Sequence, residues 1–358
     1  MARSLAVLCG QLVVVGIGGT SLSPVEASLL RSGSRGGVVL FKRNVTHGPH
    51  GADLAQILAL NRQIRGAAGG ETLIAIDQEG GRVVRIGPPA LALPAMRKIG
   101  DRGDVAFAAR LAEAQARELA ALGITMSFAP IADIHTRPEN PIIGDRAFGE
   151  TPEIVARFAG AWAQGLARGQ ILSCLKHFPG HGDTTVDSHL ALPRVERDRA
   201  GLDAIELAPF RALAKAPAVH SMMTAHVVFP ALDDVPATLS RAVCTDLVRS
   251  QLGFEGVLFS DDLEMKAIAI PPGEAAVRAI SAGCDSVLVC SRADMANEVH
   301  EALVREAERS DAFRARCEEA HARMEKMKHT LAPRAATDEA SLAAVFEASR
   351  AIAAELAS

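Results

Sequence analysis

Tyrosine is absent from this 358-residue chain, tryptophan occurs once, and aromatics make up only 4% of it. With 49% apolar residues, the core must be built from Ala, Val, Leu and Ile, a mixture that suits helices packed on a parallel sheet. There is no basic block and no interleaving of aromatic and basic residues, and the formal net charge is −4. Nucleic acid is therefore not an expected partner. No run of about eighteen apolar residues occurs, so neither a transmembrane helix nor a membrane partner is expected. The six cysteines, Cys9, Cys174, Cys244, Cys284, Cys290 and Cys317, form no CxxC and no framework spacing. That favours free thiols in a reducing compartment, and a cytoplasmic location is expected. At the start, Arg3 and the apolar run from Leu5 to Cys9 are too short for a secretory core, and no small-residue cleavage site follows. A leading helical turn is expected there.

Apolar runs bounded by turn residues fall at 12–17, 37–41, 72–76, 125–129, 171–175, 221–225, 256–259 and 285–290. Amphipathic stretches at 23–32, 52–65, 105–122, 152–168, 202–214, 240–252 and 273–282 separate them. Ser23-Pro24 and Thr151-Pro152 read as helix starts, a polar cap followed by Pro. Gly36, Gly123, Gly169, Gly253 and Gly283 fall just past helix ends, where a left-handed cap is common. Eight strands alternating with helices is the count of an α/β chain folded as a single-domain (β/α)₈ TIM-type barrel. A doubly wound open sheet is the alternative. Polar residues sit at the carboxyl ends of many successive strands: Asp77, Asp133, Lys176 with His177, His226 and Asp261. A barrel converges all its strand ends on one axis, whereas an open sheet gathers its site at one switch point. The barrel is expected over 1–330, its last part a long charged helical region from Arg292 to about Thr330. Residues 331–358 are Ala-rich and are expected as a C-terminal helical extension packed on the barrel.

The densest chemistry lies in Lys176-His177-Phe178-Pro179-Gly180-His181-Gly182-Asp183-Thr184-Thr185-Val186-Asp187-Ser188-His189, directly after a buried apolar run. Lys176 and His177 leave the strand together and could bind vicinal hydroxyls. Asp187 and His189 are two apart, so in an extended segment they project to the same side. The carboxylate can then fix the imidazole's tautomer and favour its protonated form, a general acid–base dyad on a loop. His181, between two glycines, reads as a residue that shapes the turn.

Other strand ends add to this. Asp77-Gln78-Glu79-Gly80-Gly81-Arg82 places a carboxylate beside a glycine pair where backbone can approach a ligand. Asp77 and Arg85 read as ligand contacts, Glu79 and Arg82 as a structural pair. Arg146, in a long excursion after the fourth strand, could offer its planar fork to a ligand oxygen, while Asp133 either contacts ligand or braces the loop. Asp261, the first acid after the seventh strand, is a candidate nucleophile. Asp262 reads as a cap of the following turn. His177, His181, His189 and His226 could be metal ligands, but there is no HExxH and no Cys cluster, so no metal is expected. Gly16-Ile17-Gly18-Gly19-Thr20 lacks the G-x-G-x-x-G spacing of a dinucleotide loop, so no cofactor is expected either.

These motifs, with Ile143-Gly144-Asp145-Arg146-Ala147-Phe148-Gly149 and Phe259-Ser260-Asp261-Asp262-Leu263, resemble the β-N-acetylglucosaminidases of glycoside hydrolase family 3. The resemblance runs from about Gln11 to near residue 290, and His135 departs from it where Asn is expected. It is similar to the single-domain, cell-wall-recycling form of that family, which is cytoplasmic. The resemblance implies a retaining exo-enzyme that removes non-reducing terminal N-acetylglucosamine from peptidoglycan-derived anhydromuropeptides, taken here as a monomer. It implies Asp261 as nucleophile and His189 with Asp187 as acid/base. It implies Asp77, Arg85, Arg146, Lys176 and His177 as the sugar-binding set. Three other readings stand beside it: the same site using phosphate as acceptor, a metal-dependent hydrolase, and a sugar-binding barrel without catalysis.

Overall fold

The computed structural model describes residues 4–49, 51–70, 72–186, 188, 191–331 and 338–357. Asp187 and His189 lie outside the described residues. Eight parallel strands close into a barrel: β1 Val13–Gly16, β2 Gly37–Leu40, β3 Leu73–Ile76, β4 Met126–Ser127, β5 Leu172–Phe178, β6 Ser221–Thr224, β7 Val257–Asp262 and β8 Ser286–Val289. Each pairs with its sequence neighbour, and β1 closes the ring on β8 with Val13 opposite Val287. The expected (β/α)₈ barrel is therefore the observed fold.

Alternation along the strands sends one set of side chains into the lumen and the other against the helices. Val14, Val39, Ala75, Met126, Cys174 and Leu288 fill the lumen. Phe128 and Phe259 meet there edge to face, centroids 5.7 Å apart. The barrel is thus a packed core with its opening at the carboxyl ends of the strands.

Two strands run further than their apolar cores suggest. β5 continues to Phe178 and β7 to Asp262, so Lys176, His177 and Asp261 sit on strands, not on the loops after them. Elsewhere a helix anticipated over 202–214 is split into Arg199–Ala204 and Leu207–Leu213. Pro209 supplies no N–H and its ring crowds the carbonyl four residues back, which belongs to Ile205, where the backbone leaves the helical region (φ −116°, ψ −83°). A further helix, Met96–Arg102, follows the Pro-rich stretch after β3 and carried no sequence signal. Gly169 keeps φ −82°, and Gln170 takes the positive φ of 64° instead. Gly169 is needed for closeness: a Cβ there would collide with the Ala116 methyl of the neighbouring helix Val105–Ala121.

The charged tail is two helices, Ala293–Arg309 and Asp311–His329, parted at Ser310, whose hydroxyl caps Phe313 N–H at 3.2 Å. Arg316 and Arg323 from the second join Arg249 on the buried carboxylate of Asp285 beneath the barrel. The helix Glu339–Ala357 lies along Val105–Ala121, burying Leu342 and Phe346. Among the described residues no helix is long and apolar enough to cross a membrane.

Candidate active site

The ends of β3, β5 and β7 deliver polar side chains to a cavity of about 210 Å³, which Asp133 and His226 do not border. Pockets for drug-sized ligands run to roughly 300–1,000 Å³, so this smaller space suits one small ring. Asp77 after β3, Arg85, Arg146, Lys176 and His177 on β5, and Asp261 on β7 all line it. The structure thus brings together every described member of the anticipated site.

One wall is an ionic cluster. Lys176 Nζ donates to Asp77 Oδ1 at 2.8 Å and pairs with Glu79 Oε1 at 2.7 Å. Arg85 donates to Asp77 Oδ2 at 3.1 Å. Arg146 meets Glu79 with two parallel bonds of 2.9 Å. The fork expected to face a ligand is therefore largely committed to Glu79, although it still borders the cavity. Burial would raise the Glu79 carboxyl, but the Arg146 and Lys176 cations hold it far below the usual carboxylate range. Burial likewise works against the Lys176 ammonium, and Asp77 with Glu79 overrides it and holds the lysine above its ordinary value. Arg82 does not pair with Glu79. It donates to the Ile142 and Ile143 carbonyls and ties the loops after β3 and β4 together. Behind the wall, the buried Gln78 amide accepts from the backbone N–H groups of Arg85 and Ile86 at 2.9 and 3.1 Å, fixing the approach of Arg85. The Phe41 ring flanks the cluster, with the Arg85 guanidinium 5.5 Å from its centroid.

A second wall comes from β5 and its loop. Asp133 is fully buried and accepts from His177 Nδ1 at 2.7 Å and from the backbone N–H groups of His177 and His181. It braces the loop and orients the His177 ring. Burial opposes its charge, but His177, with further help from His181, keeps its carboxyl below the ordinary value. His181 does more than shape a turn: it lines the cavity, and burial followed by the neighbouring His177 imidazole pushes its pKa down to about 4. The imidazole is therefore neutral near pH 7. Thr184 donates to the His181 carbonyl at 3.0 Å, which leaves its oxygen to accept from Nδ1–H at 2.8 Å. Nε2 then accepts the Ser188 hydroxyl at 3.1 Å, a tautomer set by the network. Ser188 itself borders the cavity. Gly182 lets this loop lie on the strand-four loop, because a Cβ there would overlap the Ile134 carbonyl oxygen.

The third element is the end of β7. Asp261 Oδ1 accepts from Asp262 N–H at 2.8 Å. Burial would raise the Asp261 carboxyl, yet the His226 and His177 imidazoles, the Asp262 amide and the Lys176 ammonium together hold it below its ordinary value. Asp261 is ionised near neutral pH and faces the sugar-sized space. Its neighbour behaves oppositely.

Comparison with known proteins identifies this arrangement. Residues 4–327 match the glycosyl hydrolase family 3 N-terminal domain. The chain belongs to glycosyl hydrolase family 3. Within this family it is 41% identical over 299 residues to a β-hexosaminidase of Neisseria meningitidis serogroup C, covering 81% of each chain. A β-hexosaminidase of Bordetella avium is 41% identical over 301 residues, covering 81% of this chain and 83% of that one. Among solved structures, a family 3 β-N-acetylglucosaminidase from a Paenibacillus species superposes with a TM-score of 0.88 at 36% identity, over 98% of this chain and 69% of that one. NagZ from Neisseria gonorrhoeae, in complex with N-trifluoroacetyl-D-glucosamine, superposes with a TM-score of 0.82 at 34% identity, over 97% and 98%. This family 3 enzyme is a glycoside hydrolase of the β-N-acetylhexosaminidase type.

Asp262 is more than the cap its sequence position suggests. It does cap the turn, accepting from Glu264 N–H at 3.1 Å, but it also takes Cys290 N–H at 3.3 Å and borders the cavity. Burial first, then the charges of Glu264 and Asp261, push its carboxyl up to about 7. A folded-state value above the unfolded one, about 3.9, stabilises the fold fully at low pH, and that contribution is lost as pH rises through about 7. Asp262→Asn is expected to remove this dependence. Its urea midpoint should fall less than the wild type's between pH 5 and 8; equal slopes would exclude Asp262 as the source.

Proposed function

We propose that the enzyme is a retaining exo-β-N-acetylglucosaminidase that releases the non-reducing terminal N-acetylglucosamine of peptidoglycan-derived muropeptides, as a monomer in the cytoplasm. The observation that carries this reading is an ionised Asp261 bordering the same small cavity as the Asp77–Arg85–Lys176 cluster. Carboxylates accept, and ammonium and guanidinium groups donate, to vicinal hydroxyls. Together with Arg146 and His177 they would hold the ring so that its anomeric carbon meets Asp261. The β-hexosaminidase relatives and the N-acylglucosamine bound to the gonococcal structure support the amide-bearing sugar. Six free, buried cysteines support a reducing compartment.

In the mechanism, an Asp261 oxygen forms a bond to the anomeric carbon as the glycosidic oxygen leaves, taking a proton from His189. Water then attacks the glycosyl ester, giving its proton to the same imidazole, and two inversions leave the configuration retained. Asp187 would hold the His189 tautomer. Their Asp-x-His spacing supports these roles, as does Ser188, which stands between them in the chain and borders the cavity.

The test is hydrolysis of a chromogenic β-N-acetylglucosaminide beside the matching β-glucoside, with the anomer of the first product read by NMR. Strong preference for the amide sugar and initial release of the β anomer are expected; an α anomer would end the retaining assignment. His189→Ala should slow substrates with poor leaving groups far more than activated aryl glycosides, and equal losses on both would remove it as the acid.

A further inference from the structure

The backbone that carries Asp261 lacks its ladder on one side. β7 pairs with β6 through Val257↔Ser221, Leu258↔Met222 and Phe259↔Met223, and the register stops there. On the other side, toward β8, the register shifts between Phe259 and Asp262, and the Ser260 hydroxyl accepts Leu288 N–H at 3.1 Å. Asp261 therefore stands on a strand end that regular pairing to β6 no longer holds.

His226 reaches across at this point. It lies two residues beyond β6, fully buried, and does not border the cavity. Its Nε2 is 2.9 Å from the Asp262 carbonyl oxygen. A carbonyl only accepts, so Nε2 carries the proton. Its Nδ1 is 2.7 Å from the Thr238 hydroxyl, which is 2.8 Å from the Thr224 hydroxyl and 3.3 Å from the Ala225 carbonyl. The residue whose carbonyl His226 holds is the one whose N–H donates to Asp261 Oδ1.

We propose that His226 is a positioning residue for the nucleophile: its Nε2–H, bonded to the Asp262 carbonyl, stands in for β6–β7 pairing and anchors the residue whose N–H aims the Asp261 carboxylate. The proposal rests on Asp261 being the nucleophile. Displacements near 1 Å at a reacting group cost about 10²-fold in rate, which sets the scale of the effect. The electrostatics agree. Burial drives the Asp261 carboxyl upward, and His226 is foremost among the groups holding it down, ahead of His177, the Asp262 amide and Lys176.

The full-length enzyme is assayed as His226→Leu, His226→Gln and Thr238→Val, on an aryl β-N-acetylglucosaminide and for inhibition by free N-acetylglucosamine. His226→Leu is expected to lower kcat by about 10- to 100-fold, with KM and sugar inhibition within about twofold. His226→Gln, which keeps a donor, should recover part of the loss. The acid limb of kcat/KM should move to higher pH in His226→Leu, because Asp261 loses a neighbour that keeps it ionised. Thr238→Val should show the same signature more weakly, and it carries the test if the Leu variant does not fold. An unchanged kcat overturns the proposal. So does a loss that tracks thermal stability alone, identical in Leu and Gln, with no movement of the acid limb. An active Asp261→Ala would instead sink the assignment of the nucleophile, a separate result.

Discussion

Asp261→Ala is expected to lower kcat on an aryl β-N-acetylglucosaminide by about 10⁴-fold or more, the scale seen when a covalent nucleophile is deleted. Three features argue for so large an effect. The carboxylate is held ionised against burial by the His226 and His177 imidazoles, the Asp262 amide and the Lys176 ammonium. It projects from a strand end into a space the size of one ring. Among the described residues no other acid in the cavity is both ionised and uncommitted: Asp77 and Glu79 are engaged by Lys176, Arg85 and Arg146, and Asp262 is pushed up to about 7. The bonds that hold the proposed sugar-binding cluster, Lys176 and Arg85 to Asp77 and Arg146 to Glu79, do not involve Asp261, so inhibition by free N-acetylglucosamine should survive the substitution. Asp261→Asn should lose about as much activity while its amide oxygen still accepts Asp262 N–H, which separates lost chemistry from lost structure. Activity within tenfold of the wild type in either variant would end the nucleophile assignment.

The second large effect is on stability. Glu79→Ala is expected to cost about 3–5 kcal/mol, the penalty for leaving buried charge uncompensated. The Glu79 side chain is 2% exposed and sits between Arg146 and Lys176. Its removal leaves the Arg146 guanidinium without its bidentate partner, and Lys176 with Asp77 alone. The readout is the urea midpoint at unchanged m-value. The pH dependence has a definite sign. The folded-state pKa of Glu79 is depressed, so its contribution is present above the unfolded value near 4.3 and is lost as pH falls toward the folded value. The gap between wild type and variant should therefore be full at pH 7 and shrink below pH 4. A gap that persists unchanged into acid would mean the loss is packing, not charge.

The barrel was legible because its strands are short apolar runs set between helical periods, and each of the eight lies where such a run occurs. The strand-end acids and bases were legible for the same reason, since a parallel barrel has only one face on which they can meet. Pairing across loops is not legible in the sequence. Nothing in Glu79 or Arg146 announces that they bond to each other, because 67 residues separate them. Asp133 could be read either as ligand contact or brace until the burial of its carboxylate on two backbone N–H groups chose the brace. The elevated carboxyl of Asp262 comes from burial and two neighbouring acids, an environment that a cap motif does not reveal. His226 read as a polar strand end and a possible metal ligand, because the role proposed for it depends on where the β6–β7 register stops.

The lumen beneath the cavity is plugged by the Phe128–Phe259 contact and its aliphatic neighbours, so nothing can thread through the barrel. On the exo reading proposed above, a glycan inserts one end, surrenders its last residue and backs out. Such a blind recess forbids processive movement along a polymer. Each cut must begin with a fresh encounter, and throughput on long chains should scale with the number of chain ends rather than with chain length.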